Sequence, residues 1–246
     1  MSRAKTAVSQ DINLTTGGGV ACGGTGTKFT FAQWFKSGDV SGFAFPDFLL
    51  WELGAADFVV GIGLSNAGLF YANYRPGGFG QPEAAIITSQ IYDDNKWHRY
   101  GYVKQADNAY RLWIDGKLAG TNATNITNSE TFVRDAICNN ENAQDETYLV
   151  GRSAIWNVAL SFAQIESFLL YGEVIQTPHF WWECNDQGSI ETDYSGNGRN
   201  GTVVGMEPST DNPPYLKRGR NKRMLPTQYI LDDEGHFNEL DIRNWI

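Results

Sequence analysis

Across residues 97–120, positions that can be buried alternate with positions that can face water. Tyr100, Tyr102 and Lys104 share one side of a run, and Tyr110, Leu112 and Ile114 share one side of the next. A period of two over successive short runs marks strands with one buried face. The polar stretch 105–109 separates the two runs as a turn. Asp115-Gly116 then supplies the dipeptide that accepts positive φ in a two-residue hairpin, which turns Lys117 and Leu118 back against the strand before them. The pattern therefore predicts three consecutive antiparallel strands.

The same reading extends along the chain. Residues 11–22 alternate weakly around three glycines, the signature of a short edge strand broken by a bulge or turn. Residues 27–36, T-K-F-T-F-A-Q-W-F-K, carry rings on both faces, which suits an inner strand whose outer face is also covered. Strands are expected over 43–52, 58–64, 68–74 and 84–91, with the regular spacing of a meander in a sandwich. Pro46 belongs at the start or outer edge of its strand because it cannot donate to a ladder. The glycine- and proline-rich loop 75–82 is a candidate binding edge. Residues 121–146, rich in Asn, Thr and Glu, read as an excursion over the surface. After a strand at 148–156, Ser161 and Gln164 form a capping-box pair opening a helix that ends near Gly172, with Phe162, Ile165, Phe168 and Leu169 on one face. Short strands at 179–184 and 202–204 complete the set.

Composition supports an all-β reading. Aromatics make up 13% of the 246 residues, and 27 glycines supply turns. A net charge of -9 argues against general affinity for nucleic acid or anionic membrane. No apolar stretch of signal-peptide or membrane-spanning type occurs, so neither export nor insertion is expected. Three widely spaced cysteines, Cys22, Cys138 and Cys184, read as thiols and not as a disulfide framework. Beyond residue 205 the character changes. Prolines precede the run K-R-G-R-N-K-R at 217–223, and Phe237, Leu240, Ile242, Trp245 and Ile246 follow. The expected division is a sandwich over 1–205 and an extended C-terminal arm over 206–246.

Four segments resemble the laminin-G-like, concanavalin A-like jelly roll of the bacterial and phage type. F-T-F-A-Q-W-F-K at 29–36 is similar to the family's F-T-I-S-A-W-F-K. N-K-W-H-R-Y-G-Y-V through Y-R-L-W-I-D-G-K-L-A-G at 95–120 resembles N-x-W-H-H-V-A-V through L-R-L-Y-V-D-G-K-L-V-G. V-G-R-S-A-I-W-N-V-A-L-S-F-A-Q-I at 150–165 resembles I-G-x-x-x-I-Y-N-R-A-L-S-x-x-E-I. W-W-E-C-N-D-Q-G-S-I-E-T-D-Y-S-G-N-G-R-N-G-T at 181–202 is similar to Y-W-P-L-N-E-G-S-G-T-T-x-x-D-S-S-G-N-G-N-N-G-T. The resemblance implies a two-sheet antiparallel jelly-roll sandwich with one short helix. It implies no single function, because this scaffold carries many.

Function has to come from sites. Hydrolases on this scaffold present E-x-D-x-E or E-x-D-x-x-E along one strand, and no such triplet is present. The histidines, His98, His179 and His236, are scattered, and no nucleophile elbow occurs, so the chain is expected not to be an enzyme. Calcium is the one cofactor the resemblance brings in, through Asp186, Asp193 and Asn197. No dedicated calcium-loop spacing appears, and the residues themselves read first as turn caps. A carbohydrate platform could form from Tyr71, Tyr74, Arg75 and Phe79 around the glycine loop. In the arm, Lys217, Arg218, Arg220, Arg223 and Trp245 could grip a neighbouring subunit. The leading expectation is a non-enzymatic virion protein, a phage head-decoration, collar or tail-associated subunit made in the host cytoplasm. Its partners would be other capsid subunits or copies of itself. The alternative is an extracellular or host-directed lectin-like module with a glycan partner.

Overall fold

The computed structural model describes residues 2–5, 11–14, 21–23, 27–38, 47–53, 57–65, 67–74, 84–106, 109–126, 129–131, 134–137, 148–186, 188–215, 229–231 and 237–239. The chain divides into two compact units, 1–215 and 216–246. The first unit opens with β1 (Ser2–Lys5), β2 (Asp11–Leu14), β3 (Ala21–Gly23), β4 (Phe29–Ser37), β5 (Asp47–Leu53), β6 (Asp57–Leu64), β7 (Leu69–Tyr74) and β8 (Ala84–Ile91). It continues through β9 (Trp97–Lys104), β10 (Tyr110–Ile114), β11 (Lys117–Asn122), β12 (Ser129–Thr131), β13 (Arg134–Ile137) and β14 (Tyr148–Trp156). Helix α1 (Phe162–Tyr171) and strands β15 (Phe180–Trp182), β16 (Ile190–Glu191), β17 (Gly201–Val204) and β18 (Glu207–Ser209) follow. In the second unit, β19 (Tyr229–Leu231) and β20 (Phe237–Glu239) pair as antiparallel strands.

Among the described residues the first unit is built on two antiparallel sheets. One runs β11-β10-β9-β4-β14-β1-β18, with β15 also paired to β14; the other runs β16-β17-β2-β13-β5-β6-β7-β8. Phe29, Phe31 and Phe35 of β4 meet Val60, Ile62, Leu64, Phe70 and Tyr74 of the facing sheet, all fully buried. The opposite face of β4 carries Ala32 and Trp34, which pack under Ile165, Phe168 and Leu169 of α1. Rings on both faces of one inner strand thus have two destinations, as the sequence pattern predicts. The helix can come close because Gly101 lies beneath it: a Cβ there would stand 2.8 Å from Ile165 Cγ2. The capping box of Ser161 and Gln164 opens α1, and Gly172 at φ 71° closes it. Asp115 and Gly116 both adopt positive φ, the conformation that a two-residue hairpin of this hand requires.

Three fully buried tryptophans tie this frame to the loops. Trp34 donates its indole N–H to Leu169 O at the end of α1, Trp156 to Gln176 O, and Trp182 to Arg199 O. Burying a ring of this size with its N–H satisfied removes the usual polar penalty, and truncating one to alanine costs about 3–5 kcal/mol.

The structure departs from the sequence expectations in four places. Strand β2 lies between β17 and β13, inside its sheet and not at an edge. Residues 121–146 are more than a surface excursion, since β13 sits between β2 and β5. Ser2–Lys5, outside every strand expected from the sequence, pairs with both β14 and β18. Residues 206–215, expected in the arm, belong to the sandwich unit through β18 and through Met206, which is buried in the core. Each of these strands is only three or four residues long. Backbone pairing holds it in place, a force that leaves no hydrophobic period to read. Pro46 lies outside the described residues. No helix among the described residues is long and apolar enough to cross a membrane.

Candidate functional site

The sequence motif at 181–202 folds into a rim beside β15. Alternation on β15 sends Phe180 and Trp182 into the core, their rings stacked at 4.4 Å, and turns Trp181 to the helix side of the sheet. There the Trp181 ring meets Phe168 edge-on at 5.6 Å. Its indole N–H donates to Glu183 Oε1 at 2.8 Å. Glu183 is in turn held by Arg152, with Nε to Oε1 at 2.8 Å and Nη2 to Oε2 at 3.1 Å. The same guanidinium donates to the carbonyls of Phe168 and Leu169 and lies 4.6 Å from the Tyr215 ring. Arginine suits this position because its planar fork can serve a carboxylate, a helix end and a ring face at once. Trp181 is therefore fixed in orientation.

Asp193 organises the turn that follows. Its Oδ1 accepts from the backbone N–H of Trp181 at 3.0 Å and of Ser195 at 2.9 Å. Its Oδ2 accepts from the Ser195 hydroxyl and the Arg199 N–H, both at 2.8 Å. Burial alone pushes the Asp193 pKa up, but these donors outweigh it and hold the carboxyl below its ordinary value. Asn200 accepts the Asp193 N–H, while Asn197 donates to the carbonyls of Pro178 and His179. This web leaves Tyr194 pointing outward. Its ring is 47% exposed and 5.7 Å from Trp181. The phenol's pKa is raised by partial burial first, then by the negative field of Asp186, Glu191 and Glu183.

Asn197, from the same turn, also lines a cleft of about 270 Å³ with Asn157, Val158, Gln176, Thr177, Pro178 and His179. Asn157, Gln176 and Thr177 are exposed there. The cleft offers amide, hydroxyl and imidazole groups over a small apolar floor, and no carboxylate or ammonium lines it. Such a surface can hydrogen-bond a neutral, hydroxyl-rich ligand.

The sequence-predicted residues fall unevenly on this geometry. Tyr74 is fully buried, packed against Phe29 and Tyr110, so it is a core residue and not part of a platform. Tyr71 stands on the opposite face of β7, over Gly61, and its ring is only 8% exposed, which leaves no face for a sugar. Arg75 and Phe79 lie outside the described residues, as do Lys217, Arg218, Arg220, Arg223 and Trp245. Asp186, Asp193 and Asn197 share the rim, but they do not fit a calcium ion as a set. Both Asp193 oxygens face N–H or O–H donors, Asp186 Oδ2 accepts the Thr192 N–H, and the Asn197 amide donates to two carbonyls. Carboxylates ringed by donors stabilise a turn, whereas a cation needs oxygens turned toward it. Among the described residues no group of three or more His, Cys, Asp or Glu side chains could hold a metal ion. Cys184 is a buried thiol.

Sequence reasoning missed Tyr194 and Trp181. The signal was available for Tyr194: where the resembled motif reads D-S-S-G-N-G, this chain reads D-Y-S-G-N-G. The Asp193 hydrogen bonds that shape the turn come from Trp181, Ser195 and Arg199 and involve no atom of the Tyr194 ring.

No protein-family model matches the chain. No curated protein matches it either. Solved structures do. A putative carbohydrate binding protein from Bacteroides ovatus is 14% identical, with a TM-score of 0.54 over 85% of this chain and 62% of that one. The heptameric SAP-like pentraxin from Limulus polyphemus is 10% identical, with a TM-score of 0.51 over 68% of this chain and 81% of that one. The receptor binding domain of botulinum neurotoxin D is 13% identical, with a TM-score of 0.47 over 67% of this chain and 44% of that one. This chain thus spans less than two thirds of the bacterial carbohydrate-binding protein and less than half of the toxin domain. Identities this low speak for fold alone, and the fold is the concanavalin A-like jelly-roll sandwich.

Proposed function

We propose that this chain is a non-enzymatic binding module that recognises carbohydrate at the rim formed by Trp181, Tyr194 and the neighbouring polar cleft. The carrying observation is the Tyr194 ring, exposed on a turn whose hydrogen bonds do not involve it and set beside a tryptophan whose orientation is locked. A sugar presents an apolar face that stacks on such a ring and hydroxyls that pair with amides and hydroxyls. Asn157, Gln176, Thr177 and Asn197 supply those partners. The shared fold with a protein described as carbohydrate binding supports the same reading. A glycan array probed with the full chain and with Tyr194→Ser tests it. Binding to a defined set of glycans that Tyr194→Ser loses is the expected result, and an array blank for the full chain overturns the proposal.

A second reading is favoured by a different observation. Residues 216–246 form a compact unit of their own, with the β19–β20 pair, and carry the basic run and the apolar residues noted above. A separate unit of that composition suits an arm through which a virion subunit, such as a phage head-decoration, collar or tail-associated protein, engages its neighbours. Light scattering of the full chain and of a chain ending at Tyr215 decides. Assembly by the full chain and a monomer for the shorter one support this reading, and a full chain that stays monomeric at high concentration removes it.

A further inference from the structure

His98 lies on β9, on the face shared with Tyr100 and Tyr102, and is 7% exposed. Its ring stands 5.5 Å from Phe35 and meets Tyr92 edge-on at 5.1 Å. The imidazole therefore sits among the aromatic rings that end the core between the sheets. Its two nitrogens reach two different turns. Nδ1 is 2.7 Å from Asp115 Oδ2, in the β10–β11 turn, and Nε2 is 2.9 Å from Asp94 Oδ1, in the turn that precedes β9.

Hydrogen-bond inventory decides the protonation state. An ionised carboxylate only accepts, so both contacts are satisfied only if both ring nitrogens carry hydrogen. A neutral imidazole would turn a lone pair toward one of the carboxylates. Each carboxylate also has a backbone donor, and the Lys96 N–H reaches Asp94 Oδ1 at 3.0 Å, but neither donor lies between the ring and its carboxylates. Lys96 pairs with Asp94. Asp115 Oδ1 accepts the Arg99 backbone N–H at 3.0 Å, while the Arg99 side chain is engaged with Glu166 on α1. Tyr92 offers its ring edge, and its phenol is held in the neutral form by burial first and the Asp115 charge second.

We propose that Asp94, His98 and Asp115 form a proton-operated latch that fastens the turn before β9 to the β10–β11 hairpin and so closes this end of the sandwich. The latch is independent of the glycan reading. Burial works to lower the His98 pKa, and hydrogen bonds and charge from Asp115 and Asp94 more than reverse this, so the net direction is upward. A raised folded pKa means the latch is fully engaged below the unfolded value near 6.5 and is lost as pH rises through the folded value. Alkaline conditions release it, setting a ring lone pair against one of the two carboxylates.

Two measurements on the full chain test the latch. In imidazole ¹⁵N spectra, both His98 nitrogens are expected to be protonated in mildly acidic solution, with a titration midpoint above the ordinary value; a midpoint at or below the ordinary value overturns the proposal. The second is amide exchange at Arg99 and Asp115, corrected for its intrinsic pH dependence. The opening equilibrium should rise about tenfold for each pH unit by which the folded pKa exceeds the unfolded one, and His98→Gln should abolish that dependence. Equal pH dependence in both proteins overturns it. Should His98→Gln fail to fold, Asp94→Asn is expected to lower the titration midpoint, and an unmoved midpoint counts equally against the latch.

Discussion

The turn at Asp193 and the clamp at His98 each bury one ionisable side chain, to 8% and 7% exposure, and they solve the same problem with opposite signs. Asp193 is an anion surrounded by four donors, three of them from its own turn (the Ser195 N–H and hydroxyl and the Arg199 N–H) and one, the Trp181 N–H, from β15. His98 is a cation between two anions that come from two separate turns. The first arrangement is nearly self-contained and shapes a loop, whose outer side is then free to present Tyr194. The second is a fastening, since it exists only while both turns are in place. A buried charge met by local donors thus builds a platform, and one met by distant charges builds a joint.

The sharpest way to break this comparison is to remove each charge in turn. Asp193→Ala strands four donors in a nearly buried turn and is expected to cost about 2–4 kcal/mol, with lost order across 193–199 visible by amide exchange. His98→Ala near pH 6 should cost less, about 1–2 kcal/mol, because Asp94 and Asp115 keep partial access to water and can be hydrated. Calorimetry of the two variants should show Asp193→Ala melting first. The reverse order would mean that the clamp, and not the turn, carries the greater structural strain on removal.

Proton titration sharpens the contrast further. Asp193 has a lowered folded pKa, so its contribution is present above the unfolded value near 3.8 and is lost as pH falls through the folded one. Asp94, held at about 2 despite some burial by Lys96 and His98, follows the same acid branch. His98, raised, follows the alkaline branch. The full chain should therefore be most stable in mildly acidic solution. His98→Gln should flatten the alkaline side of the curve of melting temperature against pH and, because His98 helps to hold Asp94 down, soften the acid side as well. A variant whose alkaline side is unchanged would contradict the assignment.

These two sites also differ in how far the sequence reveals them. Side-chain period exposes whatever burial selects, so β4, the β9–β10–β11 meander and the capped helix could all be read from residues 27–36, 97–120 and 161–172. Asp115 was legible as a turn residue for the same reason. Strand β13 was not, and β2 was legible as a strand but not as an interior one, because both are short and secured by backbone pairing on both sides. Tyr71 and Tyr74 invite a surface reading by their place beside a glycine loop, yet strand alternation and tight packing put both out of reach of a ligand. The His98 contacts join residues 4 and 17 positions away through geometry at strand ends, which no local period encodes. Trp181 carries no local mark either, since its role depends on Arg152 reaching Glu183 from a neighbouring strand.

The smallest expected effect on stability is also the most telling for function. Tyr194→Ser restores the residue of the resembled motif, leaves the Asp193 hydrogen bonds untouched and removes a ring already 47% exposed. Its thermal midpoint should match that of the full chain, since such surface changes stay within about 0.5 kcal/mol. Its affinity for any glycan bound at the rim should fall about tenfold, the scale of an aromatic contact worth up to about 1.5 kcal/mol. A double substitution with Asn197 changed to Ala separates the platform from the cleft. If the ring and the cleft grip one ligand, the two losses will fall on the same glycan. If Tyr194→Ser leaves affinity unchanged while Asn197→Ala removes it, the ring is idle and the cleft alone is the site.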